Sequence, residues 1–128
     1  NRFFSGIERN MPELERCYKI SKKAAKAGFE WESFHDVADK VREEISEAET
    51  ADSENLEAEL GDVLFAAVNL CRFAKVKPQD ALQHANNKFI NRFEIVYRLA
   101  NENGLQLDEL SLDQMNDLWD QAKAVYPN

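Results

Sequence analysis

Apolar residues recur at steps of three and four through nearly the whole chain, and almost nowhere do they alternate at the step of two that a half-buried strand requires. The cleanest run is Phe34, Val37, Ala38, Val41, Ile45 and Ala48, which falls on one stripe of a helix. A chain patterned this way buries its apolar surface by packing helix on helix. Stop and start residues divide it. Pro12 suits the first position of a helix that Gly28 closes, and Ser33, with Asp36 three residues on, opens the second. The stretch ADSEN makes a turn, and a third helix runs from about Leu56 to Ala74. A fourth begins near Pro78 and reaches Asn103, with Gly104 as its stop, and Ser111 with Gln114 caps a fifth. The fold class is therefore all-α, a bundle of about five helices. At 128 residues, with no internal repeat and no disordered linker, it is expected to be one domain, 1–128.

Each helix offers a core face. On the third, Leu56, Leu60, Val63, Ala67, Leu70 and Ala74 form a stripe while Phe65, Val68 and Phe73 point elsewhere, so the helix is central or covered by a second chain. The fourth presents Leu82, Ala85, Phe89, Phe93, Val96 and Tyr97; the fifth presents Met115, Leu118, Trp119 and Ala122. Asn86 lies on the fourth stripe, where a buried amide needs partners. It either bonds a helix neighbour or helps to bind a ligand.

Charge excludes several functions. The formal net charge is −8, against the phosphate neutralisation by Lys and Arg on which duplex nucleic-acid binding rests. Arg16, Lys19, Lys22, Lys23 and Lys26 gather on the first helix and read as a solvated face. No run of about 18 apolar residues is present and no signal-peptide pattern opens the chain, so a cytoplasmic protein without membrane contact is expected. Cys17 and Cys71 fit reduced, buried thiols, and His35 and His84 fit solvent-facing positions. The first residue is Asn1, not Met, as expected of a piece of a longer chain.

Between Lys40 and Asp62 the chain carries nine acidic and two basic residues, yet keeps its helical apolar stripe. At about 100° per residue, Glu44 and Glu47 flank the stripe of the second helix and Glu43 points away from it. Glu59 and Asp62 flank the third. Each pair projects two carboxylates from one face, and an antiparallel hairpin brings both pairs to one depth. One reading is a solvated acidic surface. The other is a cation site, since four converging carboxylates repel unless positive charge lies between them, and hard oxygen ligands suit Mg²⁺ or Mn²⁺. Lys40 shares the flank of Glu44, and Lys88 and Arg92 line one edge of the fourth helix, so an anionic, phosphate-bearing substrate is the natural companion of such an ion. Glu32 and His35 form a single E-x-x-H; a di-iron bundle needs a second.

The segments EEISE and ELGD, carrying Glu43, Glu44, Glu47, Glu59 and Asp62, resemble the E-E-x-x-E…E-x-x-D signature of the MazG-type nucleoside triphosphate pyrophosphohydrolases. MPELERCYKISKKAAKAGFEW before the motif, KFINRF after it and the order through Trp119 extend the resemblance over nearly the whole chain. It is nearest to the C-terminal domain of two-domain MazG proteins. The resemblance implies a four-helix catalytic core completed by a homodimer or higher assembly. It also implies Mg²⁺-dependent hydrolysis of NTP or dNTP to monophosphate and pyrophosphate, in nucleotide-pool housecleaning. It makes Glu44, Glu47, Glu59 and Asp62 metal ligands and, with Glu43 nearby as a further ligand or an outer contact of the metal, the catalytic set; Lys40, Lys88 and Arg92 are phosphate contacts, and Trp119 is a neighbour of the nucleotide. One departure stands out: EAELGD here replaces the common EEEMGD, so Ala58 removes an acid beside Glu59.

Overall fold

The computed structural model describes residues 2–128. Among them there is no strand, and the elements are α1 (Glu13–Lys26), α2 (Phe34–Glu49), α3 (Leu56–Phe73), α4 (Pro78–Glu102), a 3-10 turn (Leu107–Glu109) and α5 (Leu112–Val125). The all-α expectation holds. Contacts gather into two units, one running to Ala81 and one from Leu82 to Asn128.

In the first unit α3 packs against both α1 and α2. Gly28, at φ +108°, lets α1 end abruptly, with Phe29 N–H bonded to the Ala24 carbonyl and Gly28 N–H to that of Ala25. The Ser33 hydroxyl accepts from Asp36 N–H at 3.1 Å and starts α2. Asp52 accepts from both Asn55 N–H and its side-chain amide, which tightens the turn between α2 and α3. With so short a turn the two helices run antiparallel, and Val37 at their seam is fully buried.

The buried face of α3 differs from the sequence expectation. Ala66, Val68 and Asn69 are buried, whereas Leu56, Leu60, Leu64 and Phe65 are exposed. A helix apolar almost all round does not encode which side faces inward; its neighbours α1 and α2 decide.

The second unit is built on Ile95, Val96 and Ala100 of α4 and Leu118 and Ala122 of α5, bordered by Leu105, Leu107, Leu110 and Met115. Ser111 and Gln114 complete a reciprocal capping box at the start of α5. The inward face proposed for α5 is borne out. For α4 it is only partly so: Val96 is buried, but Leu82, Phe89 and Tyr97 are exposed. The 14-residue α5 is much shorter than the 25-residue α4. Asn86 is exposed as well, so the buried amide expected there is absent, and the buried amide belongs instead to Asn69.

Truncation should separate core from surface. Leu118→Ala is expected to lower stability by about 2–5 kcal/mol, as a cavity among packed side chains does. Leu112→Ala, at a residue 76% exposed, should change it by less than about 0.5 kcal/mol. Urea midpoints at unchanged slope measure both.

Candidate functional site

The α2–α3 hairpin brings three carboxylates together. One oxygen from each of Glu44, Glu59 and Asp62 lies within 4.8 Å of the others. Glu44 is the buried member at 7% exposure, Glu59 is half-buried and Asp62 is exposed. Steps of three and four along each helix produce this: Glu44 lies one turn beyond Lys40 on α2, and Glu59 and Asp62 share a face of α3. Glu43 is exposed, on the outer side, as its rotation requires.

Lys40 Nζ lies 3.1 Å from Glu44 Oε1 and 3.5 Å from Glu43 Oε1. Its hydrogen bond holds the Glu44 carboxyl below the usual carboxylate range and raises the Lys40 ammonium above its own. The other Glu44 oxygen, Oε2, is buried without any hydrogen-bond partner. An orphaned carboxylate oxygen beside two more acids carries a desolvation cost that a cation would remove. The donor set is all hard oxygen, which fits Mg²⁺ or Mn²⁺.

Glu47 is exposed and stands outside the close trio. Its carboxyl is pushed up, first by the neighbouring Glu44 carboxylate and further by desolvation and the charges of Glu59 and Glu43. It belongs to the same electrostatic neighbourhood without sharing the trio's geometry.

A cleft of about 370 Å³ adjoins Lys40 and is otherwise lined by Gly28, Phe29, Glu30 and Trp31. The rings of Phe29 and Trp31 meet edge to face at 6.5 Å. Behind them, Arg72 of α3 grips Glu30 through two hydrogen bonds of 2.6 and 2.8 Å. Neither this cleft nor the Arg72 pair was anticipated from the sequence. The available signals were an aromatic–acid–aromatic triplet just after the helix-ending Gly28, and a polar Asn69 and Arg72 three residues apart on a largely apolar helix.

In the second unit, Lys88 Nζ bonds Asn128 Oδ1 at 3.1 Å and Arg92 Nε bonds the Tyr126 carbonyl at 2.9 Å. The Arg92 guanidinium sits 5.9 Å from the centre of the Trp119 ring, and Phe89 packs on that ring at 5.5 Å. Arg92, Phe89 and Trp119 thus form one basic and aromatic group, with Lys88 one turn before Arg92 on α4. Cys17 and Cys71 are free and half-buried; burial pushes the Cys17 thiol up to about 11. His35 and His84 are exposed, as expected.

The model of the MazG nucleotide pyrophosphohydrolase domain matches residues 32–97. A nucleoside triphosphate pyrophosphohydrolase of Escherichia coli strain K12 is 42% identical over 123 residues, covering 91% of this chain and 47% of the relative. A protein of Thermotoga maritima named nucleoside triphosphate pyrophosphohydrolase/pyrophosphatase MazG is 39% identical over 114 residues, covering 88% and 45%. The chain spans about half the length of these curated relatives.

The raised Glu47 carboxyl has a definite consequence for stability. A carboxyl whose folded pKa lies above its ordinary 4.5 favours the fold when protonated and opposes it when ionised, fully so above the folded pKa and not at all below 4.5. Glu47→Gln, which removes the charge at similar size, should therefore raise the melting temperature of the metal-free protein at pH 7. The gain over wild type should shrink toward zero near pH 4. Melting curves in chelator at both pH values check this.

Proposed function

The chain belongs to the MazG nucleotide pyrophosphohydrolase domain family, and from that premise we propose that it hydrolyses nucleoside and deoxynucleoside triphosphates to the monophosphate and pyrophosphate with Mg²⁺ or Mn²⁺. Its role would be to clear the cytoplasmic nucleotide pool. The single observation that carries this reading is the trio of Glu44, Glu59 and Asp62, with one Glu44 oxygen buried and unpartnered. Among its relatives, the Escherichia coli protein bears the name nucleoside triphosphate pyrophosphohydrolase.

Glu44, Glu59 and Asp62 are the proposed metal ligands, with Glu47 completing the set after a side-chain rotation and Glu43 outside it. Bound there, a divalent cation supplies charge neutralisation of the phosphates and a lowered pKa for water. The protein groups do the rest. Lys40 neutralises Glu44 in the resting protein, and its ammonium is free to turn to a phosphate when the acids gain another counter-charge. Water adds across the α–β phosphoanhydride, and a carboxylate of the cluster accepts its proton. Lys88 and Arg92 are proposed phosphate contacts, because positioned positive charge dominates phosphoryl transfer. Trp119 offers a face to the nucleotide. Asn86, exposed on α4, remains a proposed polar contact for the substrate.

The exposed Leu60, Leu64 and Phe65 on α3 support assembly as a homodimer or higher oligomer. No helix among the described residues is long and apolar enough to cross a membrane.

Incubating the protein with a panel of NTPs and dNTPs should release pyrophosphate only when Mg²⁺ or Mn²⁺ is present. Glu44→Gln is expected to lower the rate by on the order of a hundredfold or more, because a ligand is lost. Glu43→Gln should cost less than Glu44→Gln, about tenfold and mostly in kcat, at the low end of what loss of an outer contact does. Orthophosphate as the first product would favour another hydrolase, and no metal-dependent release would favour a helical interaction module whose acids are only solvated. Light scattering at micromolar concentration should give at least a dimer; a clean monomer would remove the assembly from this proposal.

A further inference from the structure

The most completely bonded polar group in the first unit lies away from the acidic trio. Arg72 Nε donates to Ser21 Oγ at 2.7 Å, and that hydroxyl donates in turn to Asn69 Oδ1. Ser21 and Asn69 are both buried, and the Arg72 side chain is 8% exposed. The far end of the guanidinium meets Glu30 in a parallel fork of two hydrogen bonds. Glu30 Oε1 also accepts from Trp31 N–H at 3.0 Å. This arrangement fixes Glu30 from the helical core outward. The guanidinium is buried but the Glu30 carboxylate is exposed, and a pair open to water adds little net stability, so its distinct contribution is to specify geometry.

What it specifies is the segment after α1. Gly28 has a backbone that only glycine adopts easily, at φ +108°, and Glu30 N–H bonds back to the Gly28 carbonyl at 3.0 Å. The segment has no helix or strand to hold it. The Arg72 fork and the Glu30–Trp31 bond therefore set where the two aromatic rings stand. Those rings line the cleft whose remaining charged wall is Lys40, and Lys40 is bonded to Glu44 of the acidic trio. Lys40 thus links the cleft to the acids, and the cleft offers the base of a nucleotide an aromatic face, with stacking worth about 1–3 kcal/mol per base.

We propose that Arg72, oriented by Ser21 and Asn69, is a positioning residue for nucleotide recognition: it fixes Glu30 and thereby the Phe29–Trp31 wall against which the substrate's base binds. It rests on the pyrophosphohydrolase reading above. Arg72 contacts no substrate and takes no part in the bond-making step. The low Glu30 carboxyl pKa, caused first by the Arg72 hydrogen bonds, keeps the fork charged at neutral and mildly acid pH.

The test uses Arg72→Lys, which keeps a charge but loses the fork, and Glu30→Gln, which keeps an acceptor for Trp31 N–H. Arg72→Lys should raise KM for an NTP by about tenfold with kcat within about twofold, the signature of lost binding without lost chemistry. Inhibition by pyrophosphate, which has no base, should be unchanged. Glu30→Gln should raise KM by a smaller factor and serves as the second variant if Arg72→Lys does not fold. In a Trp119→Phe background, where Trp31 is the sole tryptophan, acrylamide quenching should increase in Arg72→Lys. An unchanged KM in a folded variant overturns the proposal, and so does a KM that rises in parallel with the pyrophosphate inhibition constant, which marks general loosening. A wild-type protein that releases no pyrophosphate refutes the pyrophosphohydrolase reading instead. The quenching comparison then still decides whether Arg72 positions the wall, unchanged quenching overturning it.

Discussion

The mutual repulsion of carboxylates in the α2–α3 seam is the constraint from which the rest of the site follows. Glu44 is buried, two further acids stand within 4.8 Å, and Lys40 reaches only one of its oxygens. Packing alone gives no reason to place them so; leucine would fill the same seam without a desolvation cost. The hairpin register nevertheless sets Glu44 of α2 opposite Glu59 and Asp62 of α3. The charge and the hard oxygen donors of this cluster suit a small divalent cation.

The first unit contains both outcomes for a carboxylate near the core, and their contrast is informative. Glu30 is matched by a two-bond guanidinium, and that guanidinium is held from behind by Ser21. Every group in that chain of bonds has a partner. Glu44 receives a single flexible ammonium and keeps an oxygen unmatched. Fully satisfied polar groups hold a geometry, whereas a partly satisfied one awaits a ligand. By that criterion Arg72 and Glu30 hold the segment that lines the cleft, and the Glu44 trio is the proposed ligand site.

Much of this was readable in the residues, for identifiable reasons. Caps are local: Ser33, Gly28, Gly104 and the Ser111–Gln114 box mark helix ends by chemistry confined to four or five residues. The opposite exposures of Glu43 and Glu44 follow from 100° of rotation beside one clear apolar stripe. Faces failed where the stripe was ambiguous. α3 is apolar nearly all round, so Leu56 and Leu60 read as core and are exposed, while Asn69 went unnoticed and is buried. α4 runs far longer than α5, the helix beside which its buried residues cluster, so its repeating pattern overstated the core, and Asn86 lost its expected burial. The cleft was illegible for another reason: it is made by a loop whose position depends on Ser21 together with Asn69 and Arg72, which lie 48 and 51 residues further along the chain.

Whether the trio is a cation site is decided most directly by calorimetric titration of Mn²⁺ into the metal-free protein. Saturable binding in the wild type that is lost in Glu59→Gln, with helical content unchanged, is the expected result. Equal heats in both proteins, or no saturable binding in either, would mean that the acids are a solvated surface and would contradict the account.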